Sequence, residues 1–238
     1  DKDDSKVKEV DLDRMEIASV IETGDSTKPI FIVSRSSRSI VMNGGAEPDS
    51  LKDSTIVVID HRDELVPLAD FMGSIYVGDN PNSAVNINNL KILCKGIYDP
   101  NDLTTKTQST LVTVNPWDLL INGNTTLNGV YNAQNLISNN DETEYYFTAA
   151  DGIYRMDPNT IVVTKFPDLV LSDVLYYQDE QYAIYSVVDS TTYYYNRDIL
   201  YINDSQNSKN TIYKYNLDID QYIDTIIVNG NVRDINFY

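Results

Sequence analysis

The sequence predicts an all-β protein, and three observations carry that prediction. Short apolar runs recur along the chain, each closed by a cluster of Gly, Asn, Asp or Pro. No window of 12 or more residues keeps an apolar stripe at i, i+3, i+4, i+7 without Pro, Gly or β-branched clusters. Tyrosine dominates the aromatics, with 18 Tyr against 5 Phe and 1 Trp. Tyr suits half-buried strands, where the ring packs and the hydroxyl reaches water or a partner.

In chain order, the expected strands are Pro29–Val33, Thr55–Ile59, Ser74–Val77, Leu90–Cys94, Leu111–Val114 and Leu119–Ile121. They continue with Tyr145–Phe147, Thr160–Val163, Val174–Tyr177, Tyr182–Val188, Ile199–Ile202, Thr211–Tyr215 and Tyr222–Val228. Glu64–Met72 is the best helix candidate, and Pro67 interrupts it. Residues 1–10 are almost wholly charged and read as a flexible acidic tether; residues 11–238 read as a single all-β domain.

Composition narrows the function classes. The chain has 238 residues, is 42% apolar, and carries a formal net charge of −18 from 36 acidic and 18 basic residues. That apolar content allows a sizeable core. The acidic balance argues against nucleic acid, which needs clustered Lys and Arg. No stretch reaches the ~20 apolar residues of a membrane helix. One His, His61, builds no histidine-rich zinc site, and one Cys, Cys94, makes no intramolecular disulfide. Cys94 ends an apolar run and reads as a buried thiol, and His61 sits in the polar turn Asp60-His61-Arg62-Asp63. Asp11/Asp13 and Asp218/Asp220 alternate carboxylates without the Gly and distal Glu of a calcium loop, so solvated turns are expected there. Neither a phosphate loop, a dinucleotide fingerprint nor a nucleophile elbow is present, and no cofactor or metal is expected.

A strand-turn-strand unit repeats. Residues 151–164 (DGIYRMDPNTIVVT) and 210–224 (NTIYKYNLDIDQYID) share it, each preceded by an apolar strand, 144–148 and 199–203. Residues 54–66 read as a third copy, 95–104 (KGIYDPNDLT) as a shorter fourth and 129–136 as a fifth. The turn chemistry is coherent: Asp accepts a hydrogen bond, Pro presets φ, and Asn follows, at both 99–101 and 157–159. This unit resembles a blade of bacterial β-propellers of the YVTN/YncE-like kind. The resemblance implies a propeller of about five blades at ~40–45 residues per blade. The spacings Ile56–Ile97, Ile97–Ile153 and Ile153–Ile212 are 41, 56 and 59. A β-sandwich whose hairpins share ordinary turn chemistry is the alternative. A blade buries its face only against neighbours, so closure favours one domain, and the last segment, 231–238, is strand-like.

Lys2-Asp3-Asp4 resembles the acidic run that follows the lipidated cysteine of Bacteroidetes surface lipoproteins. Asp25-Ser26-Thr27, Asp53-Ser54-Thr55, Asp189-Ser190-Thr191 and Asp224-Thr225-Ile226 are similar to the O-glycosylation motif of exported proteins of that group. The resemblance implies an exported lipoprotein at the cell surface or in the periplasm, touching a membrane only through a lipid on a cysteine upstream of Asp1. The expected function is a non-enzymatic binding module for a glycan or protein partner. Tyr145, Tyr176, Tyr193, Tyr194 and Tyr195 are the expected contacts, because Tyr is enriched in binding patches. Alternatives are a glycoside hydrolase using two carboxylates, and a phage or virion structural protein.

Overall fold

In a computed structural model, the described residues are 4–24, 27–35, 37–45, 53–61, 70–86, 89–115, 117–166, 174–188, 190–204 and 210–229. They form strands and turns, with no helix among them; none therefore crosses a membrane as a long apolar helix. The chain divides into two compact units, Asp1–Gln134 and Asn135–Tyr238.

The first unit begins with a hairpin, β1 (Lys6–Asp11) and β2 (Glu16–Glu22). Two four-stranded sheets follow. One holds β3 (Pro29–Arg35), β4 (Arg38–Asn43), β5 (Thr55–Asp60) and β6 (Asp70–Tyr76); the other holds β7 (Pro81–Asn86), β8 (Leu90–Cys94), β9 (Thr110–Asn115) and β10 (Leu120–Thr126). Strands neighbour one another in chain order, and these pairs are antiparallel. Alternation explains the unbroken apolar run of β5. Ile56 and Val58 join Ile40, Met42, Leu90, Ile92, Cys94 and Val112 in one buried cluster. Val57 and Ile59 point the other way and join Val41, Ile21 and Val7 under the hairpin. Both faces are covered, so successive residues are all apolar. Each such fully buried Ile or Val contributes roughly 1.5–3 kcal/mol of transfer free energy.

The second unit repeats the meander. Its sheets are β11 (Gln134–Ser138), β12 (Tyr145–Ala149), β13 (Gly152–Asp157), β14 (Val162–Lys165), and β15 (Val174–Ser186), β16 (Thr191–Asp204), β17 (Asn210–Asn216), β18 (Gln221–Val228). Tyr146, Ile153, Phe166, Leu200, Ile202 and Tyr215 form its core. Phe166 and Tyr215 meet edge to face at 5.6 Å.

One turn device closes four hairpins. Asp11 Oδ1 accepts hydrogen bonds from the N–H groups of Asp13 and Arg14. Asn115 Oδ1 accepts from Trp117, Asp157 Oδ1 from Asn159 and Thr160, and Asn216 Oδ1 from Asp218 and Ile219. In each, the fourth residue after this Asp or Asn has a left-handed backbone: Met15 (φ 53°), Leu119 (59°), Ile161 (56°) and Asp220 (56°). The next strand starts on the following residue. The short polar side chain replaces a backbone acceptor and starts the turn; the left-handed residue re-aims the chain along the sheet.

Several sequence expectations need correction. The copy assigned to residues 95–104 is an irregular excursion between β8 and β9, with only an isolated bridge between Asp99 and Asp102. The third strand of that sheet is β9, and Asn115 supplies its turn. Part of the expected tether is ordered, since Lys6–Asp11 pairs with Glu16–Glu22. The helix candidate ends in strand β6, and its residues 64–69 lie outside the described ones, as do the turn of the 54–66 copy, Asp25, Ser26, Asp189 and 231–238. Strands β2, β4 and β7 were not expected.

Candidate functional site

β15 and β16 are the longest strands, at 13 and 14 residues. Their register runs without a break from Val174↔Asn203 to Ser186↔Thr191. β17 pairs β16 only over Ile199–Asp204. The remainder, Asp179–Ser186 with Thr191–Asp198, therefore stands beyond the four-stranded sheet as a two-stranded ribbon.

The root of this ribbon is clasped by Glu180. Its carboxylate lies opposite Arg197 in the register and accepts from Arg197 Nη2 at 2.8 Å. Lys214 Nζ, from β17, approaches its two oxygens at 2.6 and 2.7 Å, and the Tyr201 hydroxyl donates to Oε1. Burial alone would favour the neutral acid. Lys214, Tyr201 and Arg197 outweigh it and hold the carboxyl at about 2. One residue thus ties three strands together. Nothing in the sequence marked Glu180; the long run of strand residues from 174 to 204 was the available signal.

On the other face of β15 two rings stack. Tyr146 and Tyr177 have centroids 6.2 Å apart and planes 10° apart. The Tyr146 hydroxyl donates to Glu144 Oε2 at 2.6 Å, and that of Tyr177 to Asp198 Oδ1 at 2.8 Å. Burial, then the Glu144 carboxylate, pushes the Tyr146 phenol up. Asp198 is also pushed up, by burial and by the charges of Asp218, Asp179 and Glu144, against the Tyr177 hydroxyl.

Of the five expected Tyr, the structure brings three together. Tyr193, Tyr194 and Tyr195 lie on the ribbon, 43%, 66% and 44% exposed. Consecutive strand residues face opposite ways, so at least one of the three was expected to be exposed or in a loop; all are exposed, because both ribbon faces meet solvent. The register puts Tyr194 and Tyr185 on one face, and Tyr193, Tyr195 and Ile184 on the other. Tyr185 and Ile184 are also exposed, and Val187 and Val188 cap the tip, Val188 at 94%. Tyr145 is not a surface contact: it is 1% exposed within β12. Tyr176 is half-buried against Ile199, Tyr201 and Ile212. Tyr185 was missed because its strand looked like two short ones.

Other groups do different work. Cys94 is buried, and burial pushes its thiol up to about 12. His61 Nε2 lies 2.9 Å from Ser39 Oγ, but Ser39 is buried within β4 and presents no nucleophile. The Trp117 ring covers the buried Arg38 guanidinium at 4.4 Å. An open groove of about 370 Å³, lined by Val7, Pro29, Ile30, Phe31, Ile32 and Val41 with Lys8, lies in the first unit. Among the described residues, no group of three or more His, Cys, Asp or Glu is placed to hold a metal ion.

No family model matches this chain, and no curated protein matches it. Solved structures do. One is Kuenenia stuttgartiensis hydrazine synthase, with a TM-score of 0.58 and 14% identity over 92% of this chain. The chain spans 60% of that chain's length. At this identity the likeness concerns the fold alone.

Proposed function

We propose that this protein is a non-enzymatic binding module that presents a Tyr-bearing β-ribbon to a glycan or a protein from a β-propeller scaffold. The observation that carries the reading is the ribbon itself. Its two faces hold exposed Tyr185, Tyr193, Tyr194 and Tyr195, clasped at the root by Glu180. Exposed Tyr rings offer flat apolar area with a polar tip at low entropic cost, the surface that sugar faces and protein loops both fit. A rigid sheet body supplies the preorganisation such a surface needs.

The propeller reading is supported by four successive four-stranded meanders and by the shared turn of β9–β10, β13–β14 and β17–β18. The β1–β2 hairpin carries that turn too, which fits the outer half of a fifth sheet. A crystal structure with two facing sheets would sink this scaffold. Export as a surface or periplasmic lipoprotein rests on Lys2-Asp3-Asp4 and the Asp-Ser/Thr motifs.

The test is a glycan array, with a parallel capture of surface proteins, comparing the native chain with the double variant Tyr185→Ala/Tyr194→Ala. The expected result is a ligand whose binding falls at least ~10-fold in the double variant, with the thermal midpoint unchanged. Equal capture by both proteins refutes the ribbon as the site.

A further inference from the structure

We propose that the outer edge of β15 at Gln181–Tyr185 pairs, antiparallel and about a two-fold axis at Ala183, with the same edge of a second copy of this chain. β15 is the end strand of its sheet, so its outer edge pairs no strand among the described residues. Natural edges are blunted by Lys, Pro, bulges or shortness. This one has none of these. Its register with β16 shows no bulge, it belongs to a 13-residue strand, and Gln181–Tyr185 contains no charged residue, Pro or Gly.

The edge is self-complementary in this register, and that selects a second copy as the occupant. Two copies of a chain at −18 repel over most of their surfaces. In a register centred on Ala183, Gln181 faces Tyr185 of the other copy, Glu180 faces Ser186, and Asp179 faces Val187. No charge lies opposite another, and the smallest side chain sits on the axis. The pairing also completes a ribbon that two strands alone would hold only marginally in water. A glycan covers ring faces and leaves the backbone edge to solvent; a strand satisfies the edge and leaves the faces open. The interface is below the standard size, so a micromolar dimer is expected rather than a nanomolar one. The inference is independent of the ligand proposed above, and the two fail in different experiments.

Sedimentation velocity of the full chain between about 5 and about 300 µM reads the proposal directly. The native chain should shift from monomer to dimer over that range. Ile184→Glu should remain monomeric, while Val162→Glu, the same charge on exposed β14, should dimerise like the native chain, all three with the same circular dichroism and melt. Ala183→Cys under mild oxidation should give a covalent dimer through the axis, since Cys94 is buried and silent. A native chain monomeric throughout overturns the proposal. So does equal association of Ile184→Glu and Val162→Glu, or failure of Ala183→Cys to cross-link.

Discussion

Replacing Glu180 with Gln removes one charge at the ribbon root and leaves its shape. Lys214 and Arg197 then lose the Glu180 charge they both contact, and the Tyr201 hydroxyl donates to a neutral amide. The native carboxyl is held at about 2 against an ordinary value of 4.5, which at full value corresponds to about 3 kcal/mol of stability. Screening by solvent at this partly exposed site reduces that to about 1–2 kcal/mol. The sign is fixed by the direction of the shift. A carboxyl held down in the folded state contributes fully above its unfolded value, and the contribution is lost as pH falls toward about 2. More than half should be gone by about pH 3. Urea midpoints of native and Glu180→Gln proteins at neutral pH, mildly acidic pH and about pH 3 measure this. The gap should be largest at neutral pH and shrink steadily with acidification. A gap that is absent at neutral pH, or constant down to about pH 3, refutes the clasp.

Three further substitutions test the body. Ile161 is β-branched at φ 56°, a backbone that costs an L-residue roughly 1–2 kcal/mol, so Ile161→Asn should stabilise by about 1 kcal/mol and raise the thermal midpoint by about 2–4 °C; a lowered midpoint contradicts the strain. A Cβ on Gly44 would sit 1.8 Å from the Pro81 carbonyl oxygen, so Gly44→Ala should cost more than about 2 kcal/mol, whereas Gly123→Ala, with 3.7 Å to its nearest neighbour, should be close to neutral by chemical denaturation. Buried Asn80 accepts from the Asp53 N–H and donates to the Gly96 carbonyl, both at 2.9 Å; Asn80→Ala should lose about 2–4 kcal/mol, and a native-like urea midpoint would show that the bridge is dispensable.

The sequence announces strands where burial is one- or two-sided and uninterrupted, as in Thr55–Asp60 or Leu90–Cys94. It hides them where local chemistry breaks the period. In β1 only Val7 packs inward, against Ile21, Val41, Val57 and Ile59, while Val10 is exposed on the other face and the bulge lies on the partner strand at Ala18, so the charges around the two valines read as a tether. β7 opens with Pro-Asn-Ser and β4 with Arg-Ser, which look like loop. The motif Ile97-Tyr98-Asp99-Pro100-Asn101 copies the letters of 153–159, yet no strand begins five residues after Asp99, as one does after Asp11, Asn115, Asp157 and Asn216. That spacing, rather than the Ile-Tyr pair, is the readable signature. For the ribbon, three neighbours on a strand cannot all share one face, so at least one ring of Tyr193–Tyr195 was legible as exposed or in a loop; the exposure of all three was not. Tyr145 misled for the converse reason: Tyr is a good core residue when its strand is buried on both sides, and the sequence does not show what covers β12.

The recurring turn has a kinetic consequence. Each of its hydrogen bonds joins groups no more than four residues apart, so closing it requires almost no search through chain conformations. Four such hairpins therefore offer separate starting points for collapse within one polypeptide. Early structure need not spread from a single nucleus, and partially synthesised chains already hold finished corners onto which later strands zip.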